Sequence, residues 1–332
     1  MSPHIPVMLP EVLDALQPQA GQWVADGTFG AGGYTAGILD RGAHVIAFDR
    51  DPTAIAAGHQ RFAGQDRLHL VEVPFDRLED EALAIVPDGL DGAVFDLGVS
   101  SMQLDQSERG FSFMRDGPLD MRMGDGASAE ELVNTADQND LKTILWQYGE
   151  EKRSGALAAA IVRERQKAPI TTTGALAALA GPQRAKDKIH PATRMFQAIR
   201  IFVNDELGQL VRALMAAESV LKEGGRLVVV TFHSLEDRIV KRFFSMASGS
   251  EGGSSRHQPE VVREAPSLDL ITRRAVAASA EEAAENPRAR SAKLRGAIRT
   301  SAPVTDWTDE RLSRLGAPSL VFSSLQRQWS HS

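Results

Sequence analysis

Short apolar runs, each closing on an acid or a glycine, recur through the first hundred positions. Val24-Ala25-Asp26 runs into Gly27-Thr28-Phe29-Gly30-Ala31-Gly32-Gly33, and Val45-Ile46-Ala47-Phe48 closes on Asp49. Runs this short and this continuously apolar fit strands covered on both faces. They predict strands at residues 22–26, 44–49, 68–73, 92–97 and 226–232. A helical pattern precedes them at 11–16 and others fall between them at 33–40, 52–62 and 75–85, where Pro52 suits a helix's first turn. This alternation predicts an α/β fold with a mainly parallel sheet.

The alternation stops near residue 105. From 105 to 204 there is almost no strand pattern, and helical stretches follow one another at 129–134, 139–146, 154–167, 174–179 and 191–203. This reads as a helical insertion between two strands of the sheet. A helix at 205–221 returns the chain to the sheet and ends at Gly224-Gly225. The expected organisation is a discontinuous domain of residues 1–104 and 205–300, an insertion at 105–204, and a tail at 301–332 with no assigned role. Residues 249–255 read as a mobile Gly/Ser loop, and 277–285 as helical or loose.

The first two strands and the glycines between them suggest a nucleoside site. Glycines let a ligand approach the backbone, and Asp49 at the second strand end can accept two ribose hydroxyls. The spacing of Gly27, Gly30, Gly32 and Gly33 does not match G-x-G-x-x-G. Asp26 would repel a pyrophosphate but suits a ligand bearing an ammonium. S-adenosylmethionine, which has a ribose and an ammonium but no phosphate, therefore fits better than NAD; an NAD-dependent oxidoreductase is the rival. Ala93-Val94-Phe95-Asp96 is another apolar run tipped by an acid. Ligands in open α/β sheets lie beyond the carboxyl ends of strands, so Asp96 points into the same crevice as Asp49. A turn cap is its plain alternative. His190 and His233 stand alone, Ser234 reads as the N-cap of a following helix, and no His/Asp/Glu spacing matches a metal site.

Composition narrows the chemistry. The chain has 332 residues, 42% hydrophobic and 24% charged, as in ordinary globular proteins. With no apolar run long enough for a bilayer and no signal pattern, the expectation is a cytoplasmic protein without a membrane partner. The absence of cysteine removes disulfides, thiolate metal sites and every cysteine nucleophile. A formal charge of −7 means that a nucleic acid would have to be held by local patches. Residues 286–299 carry five basic residues and no acid, which suggests a phosphate-binding stripe or a solvated edge. Arg184, Lys186, Lys188, Arg194 and Arg200 form a second basic group. Together they favour RNA.

On these residues, and on Glu108-Arg109-Gly110-Phe111-Ser112-Phe113 and longer stretches at 116–123, 190–204, 224–244 and 286–295, the chain resembles the bacterial ribosomal RNA methyltransferases of the MraW/RsmH type. The resemblance implies a Rossmann-like class I methyltransferase sheet with a helical insertion for substrate recognition. It implies methyl transfer from S-adenosylmethionine to the exocyclic N4 of a cytosine in 16S rRNA of the small ribosomal subunit, at the decoding centre. It assigns cofactor contacts to Gly32, Gly33, Tyr34, Asp49, Phe75, Asp96 and Gln103. Tyr34 stands where the family pattern has histidine, and Met102 where it has proline. Asp96, with the Leu97 carbonyl, is the candidate acceptor for the amine, although it can instead contact the cofactor. Phe111 or Phe113 can stack on the base or simply pack in the core. Arg194, Arg288 and Arg290 are further candidates for RNA contact. Methylation at cytosine C5 generally uses a cysteine nucleophile, which this chain lacks, whereas N4 transfer needs no covalent intermediate. A non-catalytic RNA-binding assembly factor on the same fold is the alternative, and a homodimer is left open.

Overall fold

Five parallel strands form the first part of the sheet: β1 (Trp23–Asp26), β2 (His44–Phe48), β3 (Leu68–Val71), β4 (Leu90–Asp96) and β5 (Leu221–Thr231). Three more follow: β6 (Leu268–Leu270), β7 (Val276–Ala277) and β8 (Lys293–Arg299). The order is β3-β2-β1-β4-β5-β8-β6, with β7 also on β8. β8 runs antiparallel to β5, β6 and β7. The computed structural model describes residues 6–99, 101–183, 189–251, 265–323, 325–326 and 329. Arg184, Lys186, Lys188 and residues 252–255 of the Gly/Ser loop lie outside the described residues.

Consecutive residues Val45, Ile46, Ala47 and Phe48 are wholly buried, as are Ala93 to Phe95 and Leu227 to Val230. Burial of neighbours that point to opposite faces means that both faces of the sheet are covered, as its βαβ connections require. Helices connect the strands at Gly33–Asp40, Pro52–Arg61, Leu78–Ile85 and Glu206–Val220. Asp51 caps the second of these on the Thr53 N–H at 3.0 Å, with Pro52 as its first residue.

The chain divides into two units: Met1–Gly98 with Gln209–Ala317, and Val99–Gly208 with Pro318–Ser332. The first holds the whole sheet. The second is helical, at Ala129–Thr135, Gln138–Gly149, Ser154–Arg165, Thr173–Ala178 and Thr193–Val203. In it, the Tyr148 hydroxyl donates to Gln326 Oε1 at 2.7 Å, and Gln326 Nε2 donates to the Phe202 carbonyl at 2.9 Å.

The tail is divided between the units, not separate from them. In the first unit, Glu218 is fully buried and accepts from Thr305 N–H at 2.8 Å, Thr305 Oγ1 at 2.7 Å and Trp307 Nε1 at 2.7 Å. Ser267 donates to the same carboxylate at 2.5 Å.

The expected phosphate stripe at 286–299 is corrected in its second half. Those residues form β8, an inner strand whose Leu294, Gly296 and Ala297 are buried. Lys293 Nζ and Arg295 Nε both bind Asp237, each at 2.9 Å. Arg299 is 9% exposed and donates to the carbonyls of Glu218, Ser267, Thr300 and Ala302. These cations hold the first unit together. Arg288 and Arg290 lie earlier, in the 3₁₀ turn Pro287–Ser291, half-buried and exposed respectively.

Candidate functional site in the first unit

Register aligns the strand ends. Asp26 of β1 pairs with Ala47 of β2 and with Val94 of β4. Asp49 and Asp96 each lie two residues beyond those partners, so both come out at the carboxyl edge beside the turn after β1. The turn is drawn against the sheet by Gly27 N–H on the Val94 carbonyl at 2.9 Å and Phe29 N–H on the Phe48 carbonyl at 2.8 Å.

Two glycines are required by contact. A Cβ on Gly27 would lie 2.3 Å from the Phe95 ring, which itself meets Phe75 at a centroid distance of 5.5 Å. Gly32 has φ +73° and would meet Phe62 and Phe29 below 3 Å. Gly33 begins the helix Gly33–Asp40, against Pro6.

The acids divide the work. Asp26 is 1% exposed and turned inward, accepting from Thr28 N–H, Thr35 N–H and Thr35 Oγ1 at 3.2, 3.1 and 2.7 Å. It organises the turn, where the sequence suggested an ammonium partner. Burial lifts its pKa to about 6 against those bonds. Asp49 accepts from Gly30 N–H with Oδ2 and from Asp51 N–H with Oδ1, both at 2.9 Å. Burial raises its pKa, and these bonds oppose the rise. It stays half-buried, with lone pairs left for further donors.

Asp96 is the outlier. Its N–H donates to Thr28 Oγ1 at 2.6 Å, but its Oδ1 is closed off from solvent with no hydrogen-bond partner. The residue as a whole is half-buried. Burial first, then the charges of Asp26 and Glu236, push its carboxyl up to about 8, and the Tyr34 hydroxyl acts the other way.

Six expected cofactor residues, Gly32, Gly33, Tyr34, Asp49, Phe75 and Asp96, gather at this one edge. Tyr34 differs from expectation in its side chain. It is 3% exposed and its hydroxyl donates to the Val7 carbonyl at 2.5 Å, which leaves its backbone at the turn. His233, and not Ser234, caps the next helix: its Nδ1 accepts from Glu236 N–H, while Glu236 Oε2 accepts from Phe232 and His233 N–H. Thr28 and Thr35 also serve the site, through bonds to Asp96 N–H and to Asp26. Their signal lay in hydroxyls flanking the glycines.

The remaining candidates lie in the second unit. Gln103 is buried on the helix Ser101–Asp105. Phe111 is 6% exposed, with the Arg109 guanidinium 5.8 Å from its ring centre, which makes it a packing residue. Phe113 is half-buried against His190 and Phe196, with centroids at 4.7 and 4.9 Å. Arg194 donates to the Glu150 carbonyl at 3.0 Å, and Arg200 forms a two-toothed pair with Glu206 at 2.7 and 2.8 Å. That pair gives Arg200 a structural role. Among the described residues no helix is long and apolar enough to cross a membrane.

A parallel sheet in the order 3-2-1-4-5, extended by a reversed strand and tipped with acids around a glycine turn, is the class I methyltransferase fold. The chain belongs to the MraW methylase family, whose model matches residues 1–300. It is 60% identical over 305 residues to a ribosomal RNA small subunit methyltransferase H of Sinorhizobium fredii, covering 90% of this chain and 88% of that one. It is 58% identical over 305 residues to the protein of that name from Agrobacterium fabrum, covering 90% and 88%. To that from Caulobacter vibrioides it is 55% identical over 313 residues, covering 91% and 97%.

Proposed function

We propose that the protein transfers a methyl group from S-adenosylmethionine to small-subunit ribosomal RNA, and that the acceptor is the exocyclic N4 of a cytosine at the decoding centre. Family membership and the names of the relatives support the coarser statement. The observation that supports an amine as the acceptor is Asp96, a carboxyl at a strand end with one buried oxygen left without a donor; the N4 atom and the decoding centre are what the family resemblance implies.

The residues present fit the cofactor. Gly32 and Gly33 let the turn close on Phe29, Phe62 and Pro6 at the strand ends, and Asp49 retains lone pairs for ribose hydroxyls. When bound, the cofactor supplies an electrophilic methyl group. A cytosine amine is a weak nucleophile because its lone pair is delocalised into the ring. Asp96, once ionised, accepts one amine N–H, favours a pyramidal nitrogen and offsets the positive charge that develops on it. The Leu97 carbonyl is a second acceptor. Arg290, Arg194 and Phe113 are the residues we assign to the RNA, with 16S rRNA in the small subunit as partner.

The test is incubation with isotope-labelled cofactor and small subunits from cells lacking the enzyme, followed by nucleoside mass analysis. The expected product is N4-methylated cytidine. Label on another atom would overturn the N4 assignment, and cofactor binding without transfer would favour a non-catalytic assembly factor.

A further inference from the structure

We propose that Glu282 is a positioning residue for the cofactor: its carboxylate latches residues 6–8 against the glycine turn. The proposal rests on the reading of Gly32 and Gly33 as the place where the cofactor lies.

The latch starts as an ordinary helix end. Ser279-Ala280-Glu281-Glu282 opens the helix Ala280–Glu285, and Ser279 Oγ accepts from Glu282 N–H at 3.0 Å. In a Ser-x-x-Glu pattern the glutamate commonly turns back to the backbone N–H of the capping serine. Here Glu282 Oε1 accepts from Met8 N–H at 2.7 Å, near the other end of the chain. A hydrogen bond to an ionised acceptor is about twice as strong as one between neutral groups.

The Val7–Met8 peptide is gripped at both of its polar atoms. Its N–H goes to Glu282, and its carbonyl accepts from the Tyr34 hydroxyl at 2.5 Å. Two such bonds fix the rotation of the peptide plane. Met8 also has φ +54°, a left-handed conformation that strains a residue other than glycine, so the plane needs partners to stay as it is. What the plane holds is the contact with the turn. Pro6 lies so close to Gly33 that a Cβ there would stand 2.3 Å from the Pro6 ring. Gly33 and Tyr34 are the first two residues of the helix that leaves the turn. Val7, Met8 and Tyr34 share one apolar cluster with Ala289, Ala292 and Leu294, from the stretch just after Glu282. Apolar packing brings these segments together, and the two hydrogen bonds set how they meet. Without Glu282 the plane is tethered on one side, and Pro6 is free to lift from Gly33.

The test compares the full-length protein with Glu282→Ala, Glu282→Gln and Glu281→Ala. S-adenosylmethionine affinity and dissociation rate are measured, with kcat at saturating cofactor. Glu282→Ala is expected to weaken binding about tenfold, through faster dissociation, with kcat retained. Glu282→Gln, whose amide oxygen still accepts from Met8 N–H, is expected to recover most of the affinity. Glu281→Ala removes the exposed carboxylate next door and is expected to change nothing. Unchanged affinity in Glu282→Ala, even with a lower melting temperature, would overturn the proposal, as would Glu282→Gln binding no better than Glu282→Ala. Amide exchange at Met8 in the cofactor-free protein reads the latch by itself. It is expected to quicken in Glu282→Ala, and an unchanged rate would also overturn the proposal. Unchanged affinity in Asp49→Ala would instead overturn the reading of the cofactor site, and Met8 exchange then still decides whether Glu282 holds the segment.

Discussion

Asp26 and Thr35 are joined twice: one carboxylate oxygen, Oδ2, accepts both the N–H and the hydroxyl of Thr35, at 3.1 and 2.7 Å. This ties the end of β1 to the first turn of the next helix, so the glycines between them are held at both ends. Thr35→Val keeps the volume and removes the hydroxyl donor from a fully buried acid. Urea unfolding is expected to show a loss of about 1–3 kcal/mol.

Stability should fall as pH rises. Asp26 and Asp96 are lifted in the fold to about 6 and about 8 from an ordinary value of 3.8. A raised acid favours the fold while both folded and unfolded forms hold the proton, and that advantage is lost as pH climbs through the folded value. Between pH 4 and pH 8 these two acids therefore work against the fold. Asp96→Asn removes the larger part and is expected to stabilise the protein at pH 8 relative to pH 5 by on the order of 1–3 kcal/mol. Melting curves at the two pH values check it.

Asp49→Ala is expected to weaken S-adenosylmethionine binding by roughly 1.5–3 kcal/mol, the value of hydrogen bonds to a charged acceptor. The fold should survive, because Gly30 N–H and Asp51 N–H lie beside the half-buried strand end and can be met by water. Calorimetric titration measures it, and unchanged affinity would remove Asp49 from the site.

Arg290 and Arg295 should part company. Arg290 is exposed in the 3₁₀ turn, and Arg295 is bound to Asp237. Arg290→Ala is expected to weaken RNA binding and lower its salt slope by about 1, with stability unchanged. Arg295→Ala is expected to lower the unfolding midpoint. RNA binding at several salt concentrations, paired with denaturation, separates the two.

Glu218→Ala should be among the costlier single changes in the first unit. It leaves donors from Ser267, Thr305 and Trp307 unmet in a buried place. The expected loss is about 3–5 kcal/mol. Emission from Trp307 should shift to the red before global unfolding.

Much of this architecture is legible in the residue order, and the exceptions have physical causes. The runs ending in Asp26, Asp49 and Asp96 are buried on both faces, so apolar continuity alone reveals them. β8 escapes the same reading. Its buried positions Leu294, Gly296 and Ala297 include a single large apolar side chain, and they alternate with the cations Lys293, Arg295 and Arg299, which in sequence resemble a solvated stripe. β5 begins earlier than its apolar run because Leu221 pairs with Leu90 ahead of a register shift that ends at Arg226. The tail holds by hydrogen bonds to Glu218, an interaction with no periodicity. At the site, strand-end acids and glycines announce a nucleoside ligand. That Tyr34 turns inward and that Arg194 is engaged by the Glu150 carbonyl depend on neighbours distant in the chain, whereas Arg200 meets Glu206 only six residues on, across a helix end whose geometry the pattern does not give.

The reversed strand β8 also sets an order on synthesis. β5 pairs with β4 on one side and β8 on the other, and β8 is among the last parts of the domain to leave the ribosome. A nascent chain that has reached Thr231 can assemble β1 to β4 and seat β5, but the outer edge of β5 remains unpaired. That edge carries Leu227, Val228, Val229 and Val230, an apolar run rich in β-branched residues of the kind that recruits other strands. Premature termination before Lys293 therefore yields a nearly complete sheet with a sticky border, a product for chaperones and proteases to clear.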